Sequence, residues 1–536
     1  MRKGLGLVLI FASAATGLIY AQARSAPDWT TQGFDAQRTS WMRVDPYISL
    51  DTLPKFQLLW KLKVDNESRH GNSLTQPVAL GNLMTFRGFK SLIFVGGSSN
   101  NVYGIDYDFG TLFWRTHHNY AAGAREYAGS PTCPGGMTLP LTRATSLAPP
   151  VQLAFFGFAR PPRPAKGDVG APGTGAPQLA EIAARIAARG NRGGGDTLAA
   201  APARGAAPAR GTPPPAPVVS PQDARGRGPN FVFSVAADGL LRGIIPDTGD
   251  LALAPARFLP ANATATGLIW ANGFVYAATA NTCGGAPTAV YAMDFIAETK
   301  PVTMWQSDGA PIIGFALGSD GTVFASTGGG SSQYANSIVA LDGATLKLKD
   351  WLRHDSAFNS TPVVFDEGGK NYVAATSGTR LYVLDAGSLG GANHRTPLFV
   401  TPDTSGVLFG DDGIATWRDA AGTRWILGEV SSAIAAFKMT FNGSAPAVER
   451  VWSSQKLASP RTPVIVNGVV FALASGNSGA NAVLYVLDPA TGKELWNSGA
   501  TITSTASAGM SAGTGQVHVV TSDNTVYAFG IPLAIN

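Results

Sequence analysis

From Thr75 onward, short apolar runs alternate with turns rich in Gly, Asn and Asp, and the alternation repeats along the chain. The fullest copy begins Thr462-Pro463-Val464-Ile465-Val466-Asn467-Gly468-Val469-Val470-Phe471-Ala472. It continues as Val483-Leu484-Tyr485-Val486-Leu487-Asp488-Pro489-Ala490-Thr491-Gly492-Lys493-Glu494-Leu495-Trp496. The unit is an apolar run, an Asn-Gly turn, a second run, a loop, a third run ending in Leu-Asp, a turn and a closing Trp. Runs this short between such turns are strands. Four antiparallel strands in about 45 residues is the mark of a propeller blade.

Weaker copies fill the rest of the chain. They pass through Val102–Trp114, Phe231–Gly249, Gly273–Trp305, Asp320–Trp351, Thr361–Asp385 and Trp425–Trp452. A last copy, Gly515–Phe529, lacks its fourth strand. Phe56-Gln57-Leu58-Leu59-Trp60-Lys61-Leu62 has the same Trp-bearing pattern and is expected to supply that strand, so that no sheet edge stays open. The fold expected is all-β: an eight-bladed propeller in one domain over residues 24–536, with seven blades as the alternative because two copies are weak.

Two segments break the pattern. Arg2 and Lys3 precede the apolar run Gly4–Tyr20, and Ala21-Gln22-Ala23 follows with the small-x-small form of a signal-peptidase site. Residues 1–23 therefore read as a signal peptide, with no membrane anchor in the mature chain and a periplasmic or secreted destination. Pro150–Pro229 is built of Ala, Gly, Pro and Arg, too poor in bulky apolar side chains to fold. It is expected to be a disordered insertion between the first two strands of the second blade.

Composition agrees with many strands and tight turns: 14% charged residues and 64 Gly in 536. The net charge of +5 suggests a polyanion partner until it is located. The insertion alone carries +6, from ten Arg or Lys against four acids, and the leader +2, which leaves −3 for the propeller. Nucleic-acid binding therefore finds no support in the folded body. The insertion itself is a candidate contact for an anionic surface or polymer. With only two cysteines, the chain excludes a disulfide-dense scaffold, a four-cysteine zinc site and covalent c-type haem. Export and strand parity place Cys133 and Cys283 on one face, and a disulfide between them is expected.

Asp28-Trp29-Thr30-Thr31-Gln32-Gly33-Phe34-Asp35-Ala36-Gln37-Arg38-Thr39-Ser40 resembles the opening of quinoprotein dehydrogenase propellers. The segment at 487–496 is similar to the repeat of that family, which non-catalytic outer-membrane assembly propellers share. The resemblance covers nearly all of the chain except the insertion, and it implies pyrroloquinoline quinone (PQQ) and Ca²⁺ on the axis. The sequence departs from the catalytic pattern in three places. Leu74 stands where the family's metal carboxylate would be, Cys133 has Thr132 and Pro134 as neighbours rather than a second cysteine, and no copy of the catalytic-Asp segment is found. No cofactor is therefore expected, although the resemblance allows PQQ and calcium.

Every connection from a fourth strand to the next first strand falls on one face, where it can line the mouth of the axis. Glu67, Arg69 and His70 lie in one such loop, and Arg125 and Glu126 lie with Tyr127 in the next; Arg461 lies in another. These are the candidate ligand-binding residues. Asp411-Asp412 is the candidate metal pair, with a solvated turn before Gly413 as the plainer reading. His117-His118 would point opposite ways on a strand and make no two-His site. The function expected is an exported binding or scaffold propeller for a protein, polymer or small molecule. The alternative is a diverged quinoprotein dehydrogenase oxidising alcohols or sugars.

Overall fold

The computed structural model describes residues 28–120, 129–147, 231–402 and 409–532, apart from positions 86, 146 and 444. The leader and the insertion expected at 1–23 and 150–229 fall outside the described residues. Eight separate sheets stand among the described residues, so the seven-bladed alternative is excluded. In the regular blades each strand pairs antiparallel with the next, from the axis outward. Blade 1 is Val78–Thr85, Gly88–Gly97, Asn101–Asp106 and Leu112–His117. The fullest sequence copy is blade 7, Val464–Val466, Val469–Ala474, Val483–Leu487 and Glu494–Asn497. Its Asn467-Gly468 turn has φ of 48° and 80°, the positive pair that a tight hairpin needs and that only Asn and Gly adopt readily.

Blade 2 is three-stranded, Val232–Val235, Leu240–Ile244 and Ala256–Arg257. Thr142 adds a fourth edge by exchanging both backbone hydrogen bonds with Phe233 (2.7 and 3.0 Å). The chain thus leaves blade 2 after its innermost segment and re-enters it at Phe231. Blade 8 is Ser511–Gly513, Gln516–Val520 and Thr525–Gly530, and Gln57–Lys63 pairs with the last of these as its outer strand. The ring closes as the sequence implies.

Repeat residues lock neighbouring blades. Asp488 Oδ1 accepts from the backbone N–H groups of Ala490 and Thr491 and from the Thr491 hydroxyl (2.7–3.0 Å), and Asp342 does the same for Ala344 and Thr345. The turn of Asp488, like those ending at Gly110 and Gly249, presents a glycine to the Trp of the preceding blade. Trp60 Nε1 donates to Tyr107 O, Trp114 Nε1 to Pro246 O and Trp452 Nε1 to Pro489 O, at 2.8–2.9 Å. The three indoles lie over Gly110, Gly249 and Gly492, where a Cβ would stand 2.3–2.6 Å from a ring atom. Burying each ring fills the gap between two sheets while its N–H keeps a partner.

Candidate functional site

The opening motif Asp28–Asp45 winds along the axis and touches the blades in their order. Trp29 exchanges backbone hydrogen bonds with Ala79 of blade 1, and Thr30 O accepts from Arg143 N beside blade 2. Thr31 Oγ1 donates to Leu268 O of blade 3 (2.6 Å). The carbonyls of Ala36, Gln37, Thr39 and Ser40 accept from Leu317, Val364, Thr416 and Ile465 of blades 4 to 7. Trp41–Met42 then pairs parallel with Val464–Val466, and Asp45 Oδ2 accepts from Gly515 N of blade 8 (2.9 Å). Asp45 Oδ1 takes the N–H groups of Tyr47 and Ile48. The tight path forces positive φ at Gly33, Phe34, Arg38 and Ser40, strain that persists because bonds within the segment and from the inner strands to Ala36, Gln37, Thr39 and Ser40 hold it.

On the side of the fourth-to-first-strand connections, this segment floors an open-mouthed cavity of about 520 Å³, solvent at the mouth included. Gln32, Gly33, Arg38 and Ser40 line it from the segment. Gln76, Thr361 and Thr462 line it from blades 1, 5 and 7, each directly before the proline that enters an innermost strand. Gly413, Gly509 and Met510 also line it, with apolar Val363, Ile414 and Val464. Arg38 is 4% exposed. Its Nε donates to Phe315 O (3.2 Å) and its Nη1 to Thr31 Oγ1 (3.2 Å) and Gln32 O, while the buried Nη2 has no hydrogen-bond partner. Burial pushes its guanidinium down to about 9, only partly offset by Asp35. Asp35 is itself held by the Thr39 N–H and hydroxyl and by Arg43. The cavity therefore joins neutral amide and hydroxyl groups to a buried positive charge.

The residues expected from sequence fare differently. Glu67 and His70 are exposed and Arg69 is half-buried, in a loop tied to blade 8 through Asn66, Ser68 and Asn524. None of the three lines the cavity. Arg461 comes nearer: it adjoins Thr462 and donates from Nε to Ser475 Oγ (2.7 Å). Arg125, Glu126 and Tyr127 lie outside the described residues. Asp411-Asp412 is not in a turn. It lies within the first strand of blade 6, Phe409–Arg418, at a register shift, because the bulge absorbs the extra residues without leaving the sheet. The side chains of this pair lie outside the described residues. His118 is buried against Ser234 Oγ (3.0 Å) while His117 faces out to Asn101 Oδ1 (2.9 Å). The expected Cys133–Cys283 disulfide is present, with Cα atoms 5.5 Å apart.

The missed residues carried a signal, a polar residue before Pro at the same place in three repeats. The floor carried none, since nothing local in Asp28–Asp45 says that it enters the axis.

Calcium needs several oxygen ligands, carboxylates among them. The described lining offers none. Gln76 commits Nε2 to Met510 O, Leu74 is buried in the core, and Arg38 supplies a cation. Among the described residues no group of three or more His, Cys, Asp or Glu can hold a metal. The described side chains do not fit the metal that the family resemblance implies.

Residues 398–531 match the family described as outer membrane protein assembly factor BamB. The quinohemoprotein alcohol dehydrogenase of Comamonas testosteroni superposes with a TM-score of 0.52 at 14% identity, over 97% of this chain and 83% of that one. A europium-containing methanol dehydrogenase gives 0.54 at 10% identity, over 94% and 98%. BamB from Moraxella catarrhalis gives 0.46 at 11% identity, over 89% and 99%. No curated protein matches in sequence. At these identities the likeness to the two dehydrogenases is one of fold.

Proposed function

We propose that this propeller of PQQ-like repeats is an exported, periplasmic or secreted protein that binds a ligand or partner at the axial cavity face, without quinone chemistry. One observation carries the reading. The cavity floor is the chain's own opening segment with the buried Arg38, and the described rim carries no acidic side chain, setting Gln76, Thr361 and Thr462 among apolar Val363, Ile414, Val464 and Met510. Such a site suits a small polar or anionic group and disfavours a divalent cation. The leader pattern and the disulfide support export, since disulfides persist in oxidising compartments. The partial match to an assembly-factor family supports a binding role.

The test is to express the chain with its leader in a periplasm, then add PQQ and Ca²⁺. We expect no stoichiometric quinone absorbance and no alcohol- or sugar-dependent dye reduction. Bound quinone with substrate-dependent turnover overturns the proposal in favour of a diverged dehydrogenase.

A further inference from the structure

On the opposite face of the ring, three guanidinium groups meet beside the same opening segment. Arg43 follows Trp41–Met42, and Arg418 and Arg424 are cross-strand partners at the hairpin joining the first two strands of blade 6. Arg43 lies over the Trp41 ring, 4.2 Å from its centroid. Arg424 lies 6.0 Å from the same centroid and 5.0 Å from that of Phe365. Two carboxylates face the group. Glu367 bonds Arg418 Nη2 (2.8 Å) and Arg424 Nε (3.1 Å). Asp35 stands 3.9 Å from Arg43 Nη1, beyond hydrogen-bond reach, and is already engaged by Thr39.

Asp366 offers its backbone carbonyl to Arg418 and Arg424, while its side-chain end is exposed. Asp419 is committed to Thr423 N and Trp425 Nε1. Two buried donors are left without any hydrogen-bond partner, Arg43 Nη1 and Arg418 Nε. Arg424 is 6% exposed, so the cluster is partly sunk into the protein, while the Arg418 side chain, 35% exposed, opens it to solvent. Like charges gathered in low dielectric with orphaned N–H groups are costly unless an acceptor completes them. Burial lowers the proton affinity of Arg43 and Arg424; Asp35 offsets this in part at Arg43 and Glu367 at Arg424, while Arg418 lowers both and Arg43 lowers Arg424.

We infer that this cluster is a binding site for a small oxyanion, a phosphate or carboxylate group held by the fork geometry of Arg43 and Arg418. Planar guanidinium donors match such groups in bidentate fashion, which an ammonium cannot do. The site shares Asp35 with the axial cavity but lies on the opposite face, and its test reads the Arg418 side chain, so it stands or falls apart from the function proposed above.

The experiment is isothermal titration of the purified mature protein with inorganic phosphate and, separately, with malonate, using sodium chloride of equal ionic strength as control. The expected result is saturable binding of one equivalent of phosphate, malonate or both, with no response to chloride. The stronger of the two names the group recognised. Arg43→Gln and Arg418→Gln should each weaken that binding by roughly tenfold or more, the worth of one charge-assisted hydrogen bond. Arg450→Gln, on an exposed strand, should leave it unchanged. Arg418→Gln sits at the open edge of the cluster, so it keeps the test valid should Arg43→Gln fail to fold. No saturable binding of either anion, or binding that persists undiminished in Arg418→Gln, overturns the inference.

Discussion

Replacing Gly492 with Ala probes the contact that joins one blade to the next. Gly492 has φ of +70°, and an added Cβ would lie 2.3 Å from Trp452 Cε3 and 2.9 Å from two further ring atoms. The left-handed backbone alone costs an Ala about 1 kcal/mol. Displacing the indole adds overpacking of about 1–3 kcal/mol and endangers the 2.9 Å hydrogen bond from Trp452 Nε1 to Pro489 O. The expected loss is about 3 kcal/mol. Gly468→Ala is the matched control, since its φ of +80° carries the same backbone cost while nothing lies within 4 Å of the new Cβ. It should lose only about 1 kcal/mol.

Urea unfolding, followed by tryptophan fluorescence and far-ultraviolet circular dichroism, reads both variants. A double-mutant cycle completes the argument. In a Trp452→Ala background the clash is absent, so Gly492→Ala should fall to the backbone cost and show a coupling of about 2 kcal/mol. A Gly492→Ala variant no less stable than Gly468→Ala, or a coupling near zero, refutes the blade lock.

His118 and His518 are both buried, and burial pushes each down to about 3. The unfolded chain takes a proton near 6.5, so between that value and about 3 it binds more protons than the folded chain, and stability falls as pH falls. The loss from pH 6.5 to pH 5 is about 2 kcal/mol per histidine. Replacing His518 with Gln should flatten the slope of urea stability against pH by about half of this contribution, and an unchanged slope would count against it. The Cys133–Cys283 disulfide closes a separation of 150 residues. Its removal by a Cys133→Ser, Cys283→Ser double variant should cost up to about 5 kcal/mol of unfolding free energy. Thiol titration of the unreduced, denatured wild type should count no free thiol.

How much was legible follows from the range of the interactions. The blades were readable because each is a local unit. In blade 7 the Asn467-Gly468 turn, the Asp488–Thr491 turn and the apolar runs between them lie within 35 residues, and each enforces its conformation through neighbours in sequence. The closing strand at Gln57–Lys63 was readable too, because an unpaired edge and a spare Trp-bearing strand imply each other. Asp411-Asp412 was misread as a turn since Gly413 follows it, whereas pairing across the sheet holds the segment as a bulged strand. Glu67, Arg69 and His70 lie in the connection named from the sequence but none lines the cavity, because loop direction at the rim cannot be inferred from strand parity.

The sequence alone therefore determined the repeat, its four-stranded unit and the way the ring closes, because short-range turn chemistry and strand periodicity specify them, while the eight sheets of the structure decided the count against seven. The tertiary structure decided what occupies the axis. Arg38 meets Phe315, and Arg43 meets Arg418, across several hundred residues. Those meetings exist only once eight sheets converge on Asp28–Asp45 and supply the backbone partners that hold its strained path. Burial then gives these ordinary surface residue types their altered charge behaviour, and burial is a property of the closed ring.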